Sequence, residues 1–386
     1  MNKRAWAEVD LDAIAHNIKQ IRNITNPHAK IMAVVKADAY GHGFLEVAKT
    51  LIENGADALA VAVLQEAKQL RSRGIKVPIL ILGATDQAAA EDLIDFDVMP
   101  TVFDYEMAKA LSYEAQRKDK IAKIHIKIDT GMSRVGYMAI EETIDKTVEE
   151  ILKIANLPYL EIDGIFSHFS TADETDQTFT DVQFSRFMNL CDRLEKAGLS
   201  IPTKHICNSA ATIMRPEMHL DMVRPGIILY GLYPSDEVDK KRLPLIPAMS
   251  LKAQISMVKT VSKGTEVSYG KTYITDKTTK IATVPIGYAD GYLRVLAEKA
   301  KMLCHGEQVK VIGRICMDQC MIDVTNVNTI STGDEVTIFG ADTITADDVA
   351  KWMNTINYEV VCVIGKRIPR IYKSGGRAVK VLNYLL

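Results

Sequence analysis

The sequence predicts an α/β chain, with an N-terminal (β/α)8 TIM-type barrel over residues 1–240 and a C-terminal, mostly β domain over residues 241–386. Three observations predict it. Short β-branched runs alternate with longer amphipathic stretches through the first two-thirds, and such alternation implies parallel strands joined by right-handed crossovers. Beyond the Pro-rich stretch Leu243-Pro244-Leu245-Ile246-Pro247, the texture changes to brief strand-like segments between turn residues. At 386 residues, the chain also exceeds the size at which one core usually stops growing.

In order, the barrel strands are expected at residues 31–35, 58–63, 78–82, 98–102, 123–128, 162–166, 204–207 and 222–230. Between them, residues 43–54, 64–74, 106–117, 141–156 and 181–198 carry apolar side chains at helical spacing, with Gly or Pro near their ends. Eight such units suffice to close a barrel, and an open doubly wound sheet is the alternative arrangement of the same elements. In the second domain, strands are expected within 249–261, 279–285, 309–312, 321–324 and 335–339. They are punctuated by Lys263-Gly264, His305-Gly306 and Thr332-Gly333-Asp334. A short helix is expected over 347–355.

Composition excludes several function classes. The 47 basic and 49 acidic residues are dispersed and leave a net charge of −2, so there is no basic stripe for nucleic acid and no polybasic membrane patch. Residues 1–10 lack the apolar core of a secretory signal, and the longest apolar stretches are strand-sized. Cys191, Cys207, Cys304, Cys316, Cys320 and Cys362 are scattered without CxxC pairs. Buried, reduced thiols in a cytoplasmic protein without a bound metal are therefore expected.

Barrel enzymes build their sites where strands end, at the C-terminal face. Strand one runs into Lys36-Ala37-Asp38-Ala39-Tyr40-Gly41-His42-Gly43, and strand five into Lys127-Ile128-Asp129-Thr130-Gly131-Met132-Ser133-Arg134. Strand six ends in Ser167-His168-Phe169, strand seven in Asn208-Ser209, and strand eight carries Arg224-Pro225-Gly226. An amine at the end of an apolar strand is desolvated toward its neutral, nucleophilic form. Alone, Lys36 reads more simply as a lysine whose head reaches water. Tyr40, Gly41 and Gly43 favour a ligand site, since glycines admit close backbone approach and a phenol can bind phosphate. Asn208-Ser209 and Arg224-Pro225-Gly226 have the parts of a phosphate cradle, although each is also an ordinary turn.

The run from Ala33 to Gly43 resembles the cofactor-lysine signature of alanine racemases. The resemblance continues through residues 127–134, Ser167-His168-Phe169, Asn208-Ser209 and Val223-Arg224-Pro225-Gly226. Further on it includes Val267-Ser268-Tyr269-Gly270, residues 285–292 and Gly313-Arg314-Ile315-Cys316-Met317-Asp318-Gln319. The motifs fall in family order over nearly the whole chain.

That resemblance implies a role for each matching residue. Lys36 would hold pyridoxal phosphate as an internal aldimine and then act as a base on one face of the substrate α-carbon. Tyr269 would act on the opposite face from the partner subunit of a homodimer. Two opposed proton donors are needed, because one alone tends to return the proton to the side it left. Arg224 would bond the cofactor's pyridine nitrogen; as a donor-only group it disfavours protonation there. His168 would touch the cofactor and Arg224, and a satisfied core histidine is the plainer reading of any single His. Tyr40, Asn208, Ser209, Gly226 and Ile227 would bind the phosphate. Arg134, Met317 and Asp318 would meet the substrate. Lys127 would be carried as a carbamate, an anion able to pair with Arg134. Asp173, Tyr288, Arg294, Arg314 and Ile364 would form an entry corridor. Many relatives have a tyrosine before the Arg-Ile-Pro-Arg segment; here Lys366 stands in its place, as a replacement phosphate donor or as a solvent-facing lysine.

The resemblance implies interconversion of L- and D-alanine, with a broader or serine racemase as the alternative. A barrel decarboxylase using the same cofactor should lack Tyr269 and the Cys316-Met317-Asp318 run. An isolated-barrel cofactor carrier should lack the second domain.

Overall fold

The computed structural model describes residues 4–341 and 343–386, which fall into two compact units. One is Ala15–Ala39 with Val47–Leu245; the other joins residues 4–14, Tyr40–Glu46 and the described part of Ile246–Leu386.

The first unit is a nearly closed parallel barrel. Its strands are β1 (Lys30–Val34), β2 (Ala58–Val61), β3 (Ile79–Ile81), β4 (Met99–Val102), β5 (Ala122–Asp129), β6 (Leu160–Phe166), β7 (Thr203–His205) and β8 (Met222–Val223). Each of β1 to β6 pairs in parallel with the next, as does β6 with β7. Strand β8 returns to β1 through Met222↔Lys30 and Val223↔Ile31. Two backbone bonds bring β8 to β7, from Asp221 N to Lys204 O (3.1 Å) and from Arg224 N to Cys207 O (3.0 Å). Strands β2 to β4 are buried along their whole length, as expected of a parallel sheet covered by helices. Among those helices are Leu64–Ser72, Tyr105–Arg117, Ile144–Ala155 and Thr178–Lys196. The side chain of Asp104 starts the second of them by accepting from Met107 N at 2.8 Å, a standard N-cap.

The eighth strand is shorter than the expected 222–230. It stops at Val223, and Ile227–Tyr230 coils into a 3-10 turn. Pro225 cannot donate to a ladder, while the Ile227–Tyr230 side chains are fully buried. A short buried apolar run reads alike as strand or helix from sequence.

The second unit is built on a ten-stranded sheet. Its order is Met257–Val261, Thr279–Val284, Cys320–Asp323, Glu307–Ile312, Lys301–Cys304, Glu335–Phe339, Met249–Gln254, Ala5–Asp10, Arg370–Ser374 and Arg377–Leu382. The expected segment 249–261 is two strands. The expected helix is Ala346–Met353, opened by a capping box between Thr345 and Asp348. Ala5–Asp10 pairs antiparallel with Met249–Gln254 and parallel with Arg370–Ser374, which assigns the first strand to the second unit's sheet. Tyr40–Glu46 joins the same unit, where the Arg370 guanidinium donates to Gly41 O at 2.9 Å. No helix among the described residues is long and apolar enough to cross a membrane.

Candidate active site

At the C-terminal end of β1 the backbone does something unusual. After Lys36, residues Ala37, Asp38, Ala39 and Tyr40 all take positive φ between 52° and 55°, a left-handed helical turn of four L-residues. Such a conformation costs roughly 1–2 kcal/mol per residue, so neighbours must impose it. Glu66 is one of them: its carboxylate accepts from Ala37 N and from Ala62 N, each at 2.7 Å. Gly41 and Gly43 also have positive φ, but their glycine requirement comes from protein packing. A Cβ on Gly41 would lie 2.1 Å from Val361 O, and one on Gly43 would lie 1.9 Å from the Tyr372 hydroxyl.

Lys36 lines a cavity of about 230 Å³ together with Lys127, Arg134, His168 and Arg224. Five of the expected residues, from strand ends one, five, six and eight, thus meet in one place. Arg224 is buried and donates from Nη1 to His205 Nδ1 (2.8 Å). From Nη2 it reaches Ser167 O (2.7 Å), Ile206 O (3.1 Å) and His168 Nδ1 (3.2 Å). Among the described residues its Nε–H has no acceptor, leaving a donor for a ligand. Burial lowers its pKa to about 10, so it stays charged. Desolvation and the Arg224 charge hold His168 and His205 well below the usual imidazole range. Both rings are therefore neutral acceptors toward the guanidinium.

Lys127 is 4% exposed. Desolvation, then the charges of Arg224 and Arg134 against the opposing pull of Asp129, bring its pKa down to about 7. Its Nζ donates to Ile128 O at 2.6 Å. The loop that carries Arg134 is organised by Asp129, whose carboxylate accepts from Gly131 N (2.8 Å), Ser133 N (3.1 Å) and Arg134 N (3.1 Å). Sequence reasoning missed Asp129 and Glu66 as functional residues. Nothing about a lone carboxylate marks it as a backbone clamp, although Asp129 lies within the motif at residues 127–134.

The cradle segments also meet. Gly226 N donates to Ser209 Oγ at 2.8 Å, and the Asn208 side chain caps Ser209–Met214 by accepting from Ala211 N at 3.0 Å. Val34 N donates to Pro225 O at 3.0 Å, which sets this pair beside the strand that ends in Lys36. Asp173 lies in the loop after β6, its carbonyl accepting from Ser235 Oγ at 2.6 Å.

Other expected residues lie in the second unit. Tyr40 is buried with its ring 6.1 Å from Tyr358, and desolvation raises its pKa. Tyr269 is 69% exposed on a turn in which Ser268, Gly270 and Lys271 all have positive φ. A Cβ on Gly270 would come 2.9 Å from Arg314 Nη1, so the Arg314 guanidinium packs on that turn. Met317 O accepts from Ala289 N at 3.0 Å, beneath an exposed side chain. Asp318 pairs with Arg367 at 2.7 Å, which occupies a carboxylate expected to face substrate. Tyr288, Arg294 and Lys366 are exposed, and Ile364 is buried. Arg370, the last residue of the Arg-Ile-Pro-Arg segment, donates to the carbonyls of Gly41, Ile364, Gly365 and Ile368.

Comparison with known proteins agrees with these motifs. A model of the alanine racemase N-terminal domain matches residues 9–234, and one of the alanine racemase C-terminal domain matches residues 248–372. An alanine racemase of Clostridium perfringens (strain SM101 / Type A) is 52% identical over 383 residues, 98% of either chain. A solved alanine racemase from Clostridium difficile 630 is 44% identical, with a TM-score of 0.96 over 100% of both chains. A Bacillus anthracis alanine racemase with bound L-Ala-P is 39% identical, with a TM-score of 0.92 over 100% of this chain and 99% of that one. Domain models covering both units, and a relative at half identity over almost the full length, make this chain a member of the alanine racemase family.

Proposed function

We propose that the chain interconverts L-alanine and D-alanine with pyridoxal phosphate as cofactor, through proton exchange at the substrate α-carbon by Lys36 and Tyr269. The observation that carries this reading is the cavity at the barrel mouth, where an amine, a buried guanidinium and a neutral imidazole converge. The residues fit the cofactor. Lys36 supplies the amine, Arg224 keeps a donor free for a ring nitrogen, and the Ser209 hydroxyl, which accepts from Gly226 N, keeps its own proton to donate to a phosphate. Pyridoxal phosphate, when bound, supplies an electron sink that acidifies the α-carbon of an amino acid.

The chain's own residues do the rest. Lys36 takes or returns the proton on one face, and Tyr269 of the partner subunit in a homodimer does so on the other. Arg224, a donor that does not surrender its proton, would face the ring nitrogen and limit the strength of the electron sink there. Asn208, Ser209, Gly226, Ile227 and Tyr40 hold the phosphate, with Lys366 as a further donor. His168 steadies Arg224. Arg134 and the Met317 backbone orient the substrate carboxylate, with Asp318 beside them and Lys127, as a carbamate, holding Arg134. Asp173, Tyr288, Arg294, Arg314 and Ile364 restrict what enters. The working place would be the cytoplasm, where D-alanine would feed peptidoglycan precursors.

A chiral assay with L-alanine and with L-serine, with and without added cofactor, tests the reading. D-alanine should form faster than D-serine, and only with cofactor. Faster serine turnover would move the reading to the broader racemase, and no D-product from either would overturn it. Tyr269→Phe should retain cofactor yet lose racemisation, whereas Lys36→Ala should lose the visible band of lysine-bound cofactor.

A further inference from the structure

A line of ionisable side chains runs from Arg224 down through the barrel interior. His205 Nε2 and His125 Nδ1 are 2.8 Å apart, and His125 Nε2 lies 3.5 Å from Asp163 Oδ2, a long contact. Asp163 in turn pairs with Lys123 at 3.0 Å. His125 and His205 are fully buried, Asp163 is 27% exposed and Lys123 is 50% exposed. The line therefore connects the cavity to a solvent-facing ion pair nearer the start of the strands.

Its local construction is specific. His125 is on β5 and His205 on β7, with β6 between them. Two strands apart is about 10 Å along the hydrogen-bonding direction, too far for the rings to meet over an intervening side chain. The residue of β6 that pairs with both strands at this level is Gly164, opposite His125 and Thr203. A Cβ there would lie 2.4 Å from the His125 ring. Just before it the register slips: Ile124 pairs with Ile162 and His125 with Gly164, leaving Asp163 as a bulge. A bulge re-aims a side chain, and this one puts Asp163 on the His125 side beside Lys123. Phe166 completes the frame, stacked on His205 at 4.8 Å and 7°.

The proton directions are forced. A guanidinium only donates, so His205 Nδ1 accepts and its proton is on Nε2. His125 Nδ1 must then accept, and its own proton on Nε2 points to the Asp163 carboxylate. Both bonds thus run from Arg224 toward His125, whose Nε2 proton faces the Asp163 carboxylate across 3.5 Å without a hydrogen bond. A proton added to His125 Nδ1 would demand that His205 carry its proton on Nδ1, facing an Arg224 N–H.

We propose that Asp163 and His125 are positioning residues for Arg224, acting through His205 to hold the guanidinium in the single orientation that faces the cofactor ring. This rests on the racemase reading. Burial of both imidazoles, which lowers their pKa values, is consistent with a neutral relay.

The test starts with the unaltered holoenzyme, its histidine rings labelled with nitrogen-15. Long-range proton–nitrogen spectra should show His125 and His205 both protonated only at Nε2. A proton on Nδ1 of either ring overturns the proposal without any variant having to fold. Asp163→Ala should leave both tautomers, which Arg224 fixes, but move the His125 Nε2–H resonance and lower kcat about tenfold, a typical cost of losing an outer partner. KM for alanine should change by less than about twofold. Asp163→Asn keeps an oxygen acceptor and should restore the His125 Nε2–H resonance and most of kcat. An unchanged His125 Nε2–H resonance and unchanged kcat in Asp163→Ala overturn the proposal. An unaltered protein that makes no D-product would sink the racemase reading instead, while its ring protonation stayed readable.

Discussion

Lys127 shows how far surroundings decide what a residue is. Buried beside two guanidinium groups, its amine is driven down to about 7, against the ~10.4 of a free lysine. Below that value the amine is a cation; above it the neutral form can attack carbon dioxide to give a carbamate. Formation on Lys127 should therefore rise as pH passes upward through about 7. A carbamate carbonyl signal from carbon-13 bicarbonate checks this, and it should vanish in Lys127→Ala. A signal that persists in that variant would assign the modification elsewhere. The same shift has a stability consequence. The unmodified group binds fewer protons when folded than unfolded between about 7 and ~10.4, so its destabilising effect is greatest below that range and fades as pH rises through it. The lysine and its neighbours were legible as types in the sequence. Their mutual desolvation was not, because Arg224 is distant along the chain and meets Lys127 only in the folded barrel.

The turn from Ala37 to Tyr40 is the element on which the candidate site depends. Its four left-handed residues store strain that fixes where Lys36 stands, and the Glu66 carboxylate bridging Ala37 and Ala62 holds the near end. Strain of this kind concentrates at functional sites. Replacing exposed Ala37 with glycine, which takes positive φ freely, should raise stability by about 0.5–1 kcal/mol in urea unfolding. An unchanged or lowered midpoint would argue that the conformation is not strained. Removing the clamp by Glu66→Ala should cost about 1–3 kcal/mol, since it strips an acceptor from two N–H groups. In the sequence the glycines of this stretch read as openings for a ligand, yet their neighbours are Val361 and Tyr372. Sequence spacing shows that a glycine is present, but not which backbone or side chain comes up against it. The eighth strand failed for a related reason, since Ile227–Tyr230 is apolar enough for a strand and only its buried coil after Pro225 separates the two readings.

At the scale of the whole molecule, the proposed pair Lys36 and Tyr269 lies in different units, and Tyr269 is exposed. Supply of Tyr269 by a partner subunit has a test independent of any structure. Lys36→Ala and Tyr269→Phe proteins, each inactive alone, are unfolded and refolded together in equal amounts. In a symmetric dimer, half the products are mixed and each has one intact site, so about a quarter of normal activity should return. Recovery at background level would place both residues in one chain or reject the pair.

The sequence by itself determined the alternation that builds the barrel, the change to a β domain near Pro244, and the residue types at the strand ends. These are local or periodic properties, set by side-chain pattern along a few turns or strands. Tertiary structure alone decided that Ala5–Asp10 and Tyr40–Glu46 belong with the second unit. It also decided that Glu66 clamps the Ala37 backbone, that Asp318 is paired with Arg367, and that Gly164 clears a lane for two histidines. Each of these depends on contacts between residues far apart in the chain, whose energies exist only once the sheets have closed and excluded water.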